Sequence, residues 1–215
     1  MHIPDGFISL PILIVTWFIT IGFVAYSLYQ LREINEKQLS YMAVLGAVVF
    51  GAQMLNFPIA SGTSGHLGGA VLIAAIVGPW ASIITMTVIL TIQCLVFADG
   101  GILALGANIM NMGVIGALVG YSIFDSIRKL IKNDIGYWIG SFLGASIAVM
   151  VAAIFTAIEI GLSGISDLKT AVIVMTIWHT IIGVGEGIIT ASVLGYLKTI
   201  EFDIQTFSNW KAVSV

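Results

Sequence analysis

The feature that most restricts this chain is how little charge interrupts its apolar runs. It carries 8 Lys and Arg and 11 Asp and Glu in 215 residues. At 9% charged and 59% hydrophobic, it lies far below the roughly 25% charge of a soluble domain and could not cover a water-facing surface. Its length suits about six or seven membrane helices of roughly 20 residues each. An ordinary cytosolic enzyme, a secreted domain and a disordered segment are excluded. The net charge of -3 without a basic cluster gives nucleic-acid binding no electrostatic support. The lone Cys94, within an apolar run, permits neither a disulfide framework nor a multi-thiolate site.

Apolar stretches cover residues 7–31, 41–55, 67–77, 81–97, 102–123, 137–158 and 171–197. Residues 67–97 as one helix would be about 46 Å long, too long for one span. Gly78-Pro79 favours a turn, which splits the stretch into two short helices. Basic residues arbitrate the count: Arg32, Lys37, Arg128, Lys129, Lys132, Lys169, Lys198 and Lys211. With seven spans and an outside N-terminus, all but Lys169 fall on the cytoplasmic side, as the positive-inside tendency requires. Six spans would put Arg128 to Lys132 opposite Arg32 and Lys37. The expected architecture is an all-α polytopic membrane helix bundle of seven transmembrane helices, N-terminus outside and C-terminus inside, in one domain over residues 1–215. The more polar tail after Thr199 is expected at the inner surface. Small residues recur at Gly136, Gly140, Gly144, Ala148 and Ala152, and at Ala43, Ala47 and Gly51. Such ridges serve close helix packing within the bundle or docking of a membrane partner.

The chain begins Met1-His2-Ile3-Pro4-Asp5-Gly6, with no Lys or Arg before Arg32. A secretory signal would start with positive charge, so no cleavable leader is expected, and the bulky His2 should keep Met1 in place. The three histidines are His2, His66 and His179. The α-amine of Met1, the backbone nitrogen of His2 and His2 Nδ1 can face one ion, closing five- and six-membered chelate rings. A fourth nitrogen would complete a plane of the kind that selects Cu(II) or Ni(II). His66, in the pliable stretch Gly65-His66-Leu67-Gly68-Gly69, is the candidate, because seven spans place it on the same side as His2. The plainer alternative is an incidental second-position His and a loop His at a helix start. Gln53, Asn56, Asn108 and Asn111 could support the imidazoles or simply bond between helices. His179 and Glu186, seven residues apart on one helix face, lie deep in an apolar span. Such groups line an ion path or form a buried structural pair.

No G-x-x-x-x-G-K-[ST] is present, so the chain cannot hydrolyse ATP through a P-loop. No H-E-x-x-H or Ser-His-Asp spacing points to an enzyme.

Together, Met1-His2-Ile3-Pro4-Asp5-Gly6-Phe7, Asn56-Phe57-Pro58 with Gly62-Thr63-Ser64-Gly65-His66-Leu67-Gly68-Gly69, Asp99-Gly100-Gly101 with residues 104–113, and Trp178-His179 with Gly183-Val184-Gly185-Glu186-Gly187 resemble the substrate-capture component of nickel and cobalt energy-coupling-factor importers, the CbiM/NikM family. The resemblance implies a multi-pass protein of the prokaryotic inner membrane. It implies Ni(II) or Co(II) as bound substrate, held by Met1, His2 and His66, with no organic cofactor. It also implies partners: a transmembrane coupling component, cytoplasmic ATPase subunits and a small additional membrane subunit. A planar nitrogen field fits low-spin Ni(II) best. The rival reading is a self-sufficient, proton-coupled secondary transporter using Glu186 and His179.

Overall fold

The computed structural model describes residues 1–59 and 63–202; the tail expected at the inner surface lies largely outside the described residues, as do Ser61 and Gly62. Among the described residues seven helices occur: α1 Leu10–Gln30, α2 Glu36–Gln53, α3 Ala70–Val77, α4 Pro79–Phe97, α5 Leu105–Leu130, α6 Asp134–Leu162 and α7 Leu168–Thr199. A short antiparallel hairpin, β1 Phe57–Ile59 with β2 Thr63–Gly65, links α2 to α3 in the register Phe57↔Gly65.

Five helices, α1 and α4 to α7, are long and apolar enough to cross a membrane. The expectation of seven spans meets two shorter elements. The first turn of α2 carries Glu36 and Lys37. Helix α3 has 8 residues, about 12 Å, against a hydrocarbon layer of about 30 Å. All eight α3 residues are buried, and so are Gly65, His66, Gly68 and Gly69 just ahead of it, so this irregular backbone is enclosed by protein, the condition for non-helical chain at membrane depth. Gly78 at φ 89, followed by Pro79, makes the turn expected at that dipeptide.

Polarity is reversed relative to a water-soluble bundle. Helix α1 buries Thr16, Thr20 and Ser27 while Ile14, Phe18 and Ile21 face outward. The buried hydroxyl of Thr20 donates to Gly106 O at 2.7 Å. Between helices, packing comes from small residues and polar contacts, because lipid is as apolar as leucine. A Cβ on Gly140 would lie 2.9 Å from Phe124 O, and one on Gly144 2.8 Å from Gly120 O. The ridge along α6 thus brings its backbone against α5. The other ridge, Ala43, Ala47 and Gly51, lies on the exposed face of α2.

Within α5, Ile109–Ile115 winds as a π-helix, a widened form that often marks functional sites. The N-terminus, the ends of α2 and α4 and the starts of α3 and α5 come together, at the level of Glu186 midway along α7. Arg32, Lys37, Arg128, Lys129 and Lys198 lie at the opposite helix ends, where Lys198 pairs with Asp134.

Candidate metal centre

The first three residues are almost fully buried: Met1 1%, His2 4% and Ile3 0% exposed. They are held along the start of α5. Ile3 N–H donates to Asn108 Oδ1 at 2.8 Å, and Asn108 Nδ2 donates back to Ile3 O at 3.2 Å. Gly101 N–H also donates to Ile3 O, at 2.9 Å. The Asp5 carboxylate accepts from the amides of Ile102, Leu103 and Ala104 at 3.1, 2.8 and 3.2 Å, groups that have no helical partner just ahead of α5. Farther along, Ser9 N–H donates to Ser163 Oγ at 2.9 Å. Gly101 permits this approach, because a Cβ there would fall within 3.0 Å of Asp5.

Two imidazoles converge on the amine. His66 Nε2 lies 3.2 Å from the Met1 nitrogen, and the His2 and His66 rings are 4.6 Å apart. Hydrogen bonds set both tautomers. His66 Nδ1–H donates to Leu67 O at 2.7 Å, leaving the Nε2 lone pair directed at the amine. Gln93 Nε2 donates to Gln53 Oε1 at 2.9 Å. Its Oε1 therefore accepts His2 Nε2–H at 3.0 Å, and the lone pair of His2 sits on Nδ1. That nitrogen lies 3.3 Å from Asp99 Oδ1 but off the line of a hydrogen bond, an acceptor facing an acceptor, which a cation between them stabilises. Ligating histidines are oriented in this way, by tying the second ring nitrogen to an oxygen.

Burial shapes the electrostatics. It brings the Met1 amine from 8.0 down to about 5, with Asp99 acting the other way. It brings His2 from 6.5 down to about 3, aided by the amine and opposed by the Gln93 hydrogen bond. Burial, then the amine, then His2 hold His66 well below its usual value. All three are neutral donors at neutral pH. Among the described residues no group of three His, Cys, Asp or Glu side chains is placed to hold an ion; the Met1 amine is a nitrogen donor beside the two imidazoles.

The other residues singled out in the sequence divide by position. Gln53 donates to Gly68 O at 2.6 Å and orients Gln93. Asn56 donates to Asp99 Oδ2 at 2.9 Å. Asn108 fixes Ile3. Asn111 is elsewhere, donating to Thr156 Oγ1 and Glu159 Oε2. His179 is buried, with Nδ1–H donated to Met175 O at 2.9 Å and Nε2 without a partner. Glu186 accepts the amides of Gly68 and Gly69 at 2.7 and 2.6 Å, which anchors the chain just beyond His66 at the start of α3. Two supports escaped the sequence reading. Gln93 had a signal, a lone amide in an apolar span. Asp5 had none, because its partners lie about 97 residues away.

The model of the CbiM family, described as the cobalt uptake substrate-specific transmembrane region, matches residues 2–204. A provisionally named fused nickel transport protein NikMN of Archaeoglobus fulgidus is 42% identical over 206 residues, spanning 95% of this chain and 68% of that protein. The crystal structure of a transition metal transporter superposes with a TM-score of 0.88 at 33% identity, covering 96% of both chains. That of a truncated transition metal transporter gives 0.87 at 34%, covering 93% of this chain and 99% of its own.

Proposed function

The chain belongs to the CbiM family of cobalt uptake substrate-specific transmembrane regions, and on that premise we propose that it is the capture subunit of an energy-coupling-factor importer for Ni(II), with Co(II) second. It is a multi-pass prokaryotic membrane transport protein, not an enzyme.

The ion binds in a near-planar set of four nitrogens: the Met1 amine, the His2 amide nitrogen, His2 Nδ1 and His66 Nε2. The observation that carries this reading is the buried amine 3.2 Å from a His66 nitrogen whose lone pair is directed at it. The His2 amide gives up its proton on binding. Gln93, Gln53, Asn108 and Glu186 hold the donors in place. The capture end faces outside, which agrees with basic residues gathering at the opposite end. Seven membrane-embedded helices, with the short α3 enclosed, complete the single domain.

ATP hydrolysis belongs to partners: a transmembrane coupling component, cytoplasmic ATPase subunits and a small additional membrane subunit. The fused name of the Archaeoglobus relative fits an assembly of several parts. Both oxygens of Glu186 are committed to backbone amides, which favours this reading over a proton-coupled exchanger that would need that carboxyl to move protons.

Metal analysis of the purified protein, with competition between Ni(II), Co(II) and Cu(II), tests the proposal. The wild type should retain nickel, and one residue added before Met1 should abolish tight binding by moving the amine out of reach. An extended protein that binds nickel as tightly overturns the ligand set.

A further inference from the structure

The cluster around Glu159 plays no part in the nitrogen site and presents a separate question of partnering. Glu159, on α6, is 5% exposed, and Asn111, in the π-helical stretch of α5, is 1% exposed. Asn111 Nδ2 donates to Glu159 Oε2 at 2.7 Å and to Thr156 Oγ1 at 3.1 Å. Thr156 donates its own hydroxyl proton to Ala152 O at 3.1 Å. Both amide hydrogens of Asn111 are thereby used. Glu159 Oε1 and Asn111 Oδ1 remain, two buried oxygens without a partner, on the two groups already joined through Oε2 and Nδ2. Among the described residues no cation pairs with this carboxyl.

An ionised carboxylate here would be a buried, unpaired charge holding one hydrogen bond, and a bare carbonyl beside it would add a second unsatisfied acceptor. One hydrogen atom removes both faults. Placed on Glu159 Oε1, it donates to Asn111 Oδ1 and closes an eight-membered acid–amide ring, in which each group donates once and accepts once. We propose that Glu159 is a proton-binding site: it carries a proton on Oε1 in the folded protein and shares it with Asn111.

The position gives the proton a role. Asn111 lies three residues beyond Asn108, which fixes Ile3. Ser163, which receives Ser9 N–H, donates its hydroxyl to Glu159 O at 2.7 Å. The neutral ring therefore fastens α5 to α6 about one turn from each of the two points that hold the N-terminal segment.

Infrared spectra of the full chain in lipid nanodiscs, with thermal unfolding, test this. At neutral pH the wild type should show a carboxylic-acid carbonyl band that is lost in Glu159→Gln and shifted in Asn111→Leu. Because a glutamine amide also donates to Asn111 Oδ1 and accepts from its Nδ2, Glu159→Gln should melt within about 3 °C of wild type. Exchanging sodium for potassium or choline at constant ionic strength should leave melting unchanged. Absence of the acid band, a loss of more than about 8 °C in Glu159→Gln, or stabilisation specific to sodium each overturns the proposal, the last by assigning the two oxygens to a metal cation.

Discussion

Gly101→Ala is a stringent trial of how the capture site is assembled, because residue 101 touches no donor. Its Cβ would come within 3.0 Å of the Oδ1, N and Cγ of Asp5, so Asp5 must move. Displacing it breaks three hydrogen bonds from the amides of residues 102–104 and strains the bond from Gly101 N–H to Ile3 O. At about 1 kcal/mol for each of the three, the seated N-terminal segment loses about 3 kcal/mol. If capture requires that segment in place, nickel affinity falls by about 100-fold. Competition titration against a chelator of known affinity reads this directly. Gly22→Ala is the control, since no atom lies within 4 Å of a Cβ there. A Gly101→Ala protein that binds nickel within about threefold of wild type, while Gly22→Ala does the same, refutes the reasoning that Asp5 seats the amine.

Proton competition supplies another trial. Reference values for an α-amine and imidazole imply loss of binding below about pH 6, but burial keeps the amine unprotonated down to about pH 5 and His2 to about pH 3. Nickel affinity should fall about tenfold per unit from pH 8 to about pH 5, where only the His2 amide proton is displaced, and about a hundredfold per unit just below, where the amine must also lose one; calorimetry showing the steeper slope already at neutral pH contradicts the buried neutral amine. Gln93→Leu leaves His2 Nε2–H unpaired and frees the ring to turn, so nickel affinity should drop by about 10- to 100-fold with the metal-free melting temperature changed far less; an unaltered affinity in the same competition titration removes Gln93 from the site.

Much of the architecture was readable because membrane helices announce themselves by apolar length, and Gly78-Pro79 by its turn chemistry. The ends moved by a few residues: α6 starts at Asp134 because Asn133 caps it, and α7 at Leu168 because Asp167 does, polar residues that an apolar window leaves out. The brevity of α3 was hidden, since hydropathy does not separate a buried half-helix from a span. His2 and His66 could be brought together on topology alone, because histidine is scarce and side of membrane is a coarse variable. Their tautomers could not, as these depend on Gln93, Gln53 and the Leu67 carbonyl. Glu159 stayed hidden because its partner is reached only across the α5–α6 packing, and Asn111 was placed beside the donors when its amide faces the other way.

The bond between Glu186 and Gly68-Gly69 has a mechanical consequence. The backbone that follows a candidate ligand is harnessed to the last helix by two short hydrogen bonds. A partner that rocks α7 from the far end of the bundle therefore draws His66 along as on a crank, and the strength of the grip on the ion becomes a function of one helix's tilt.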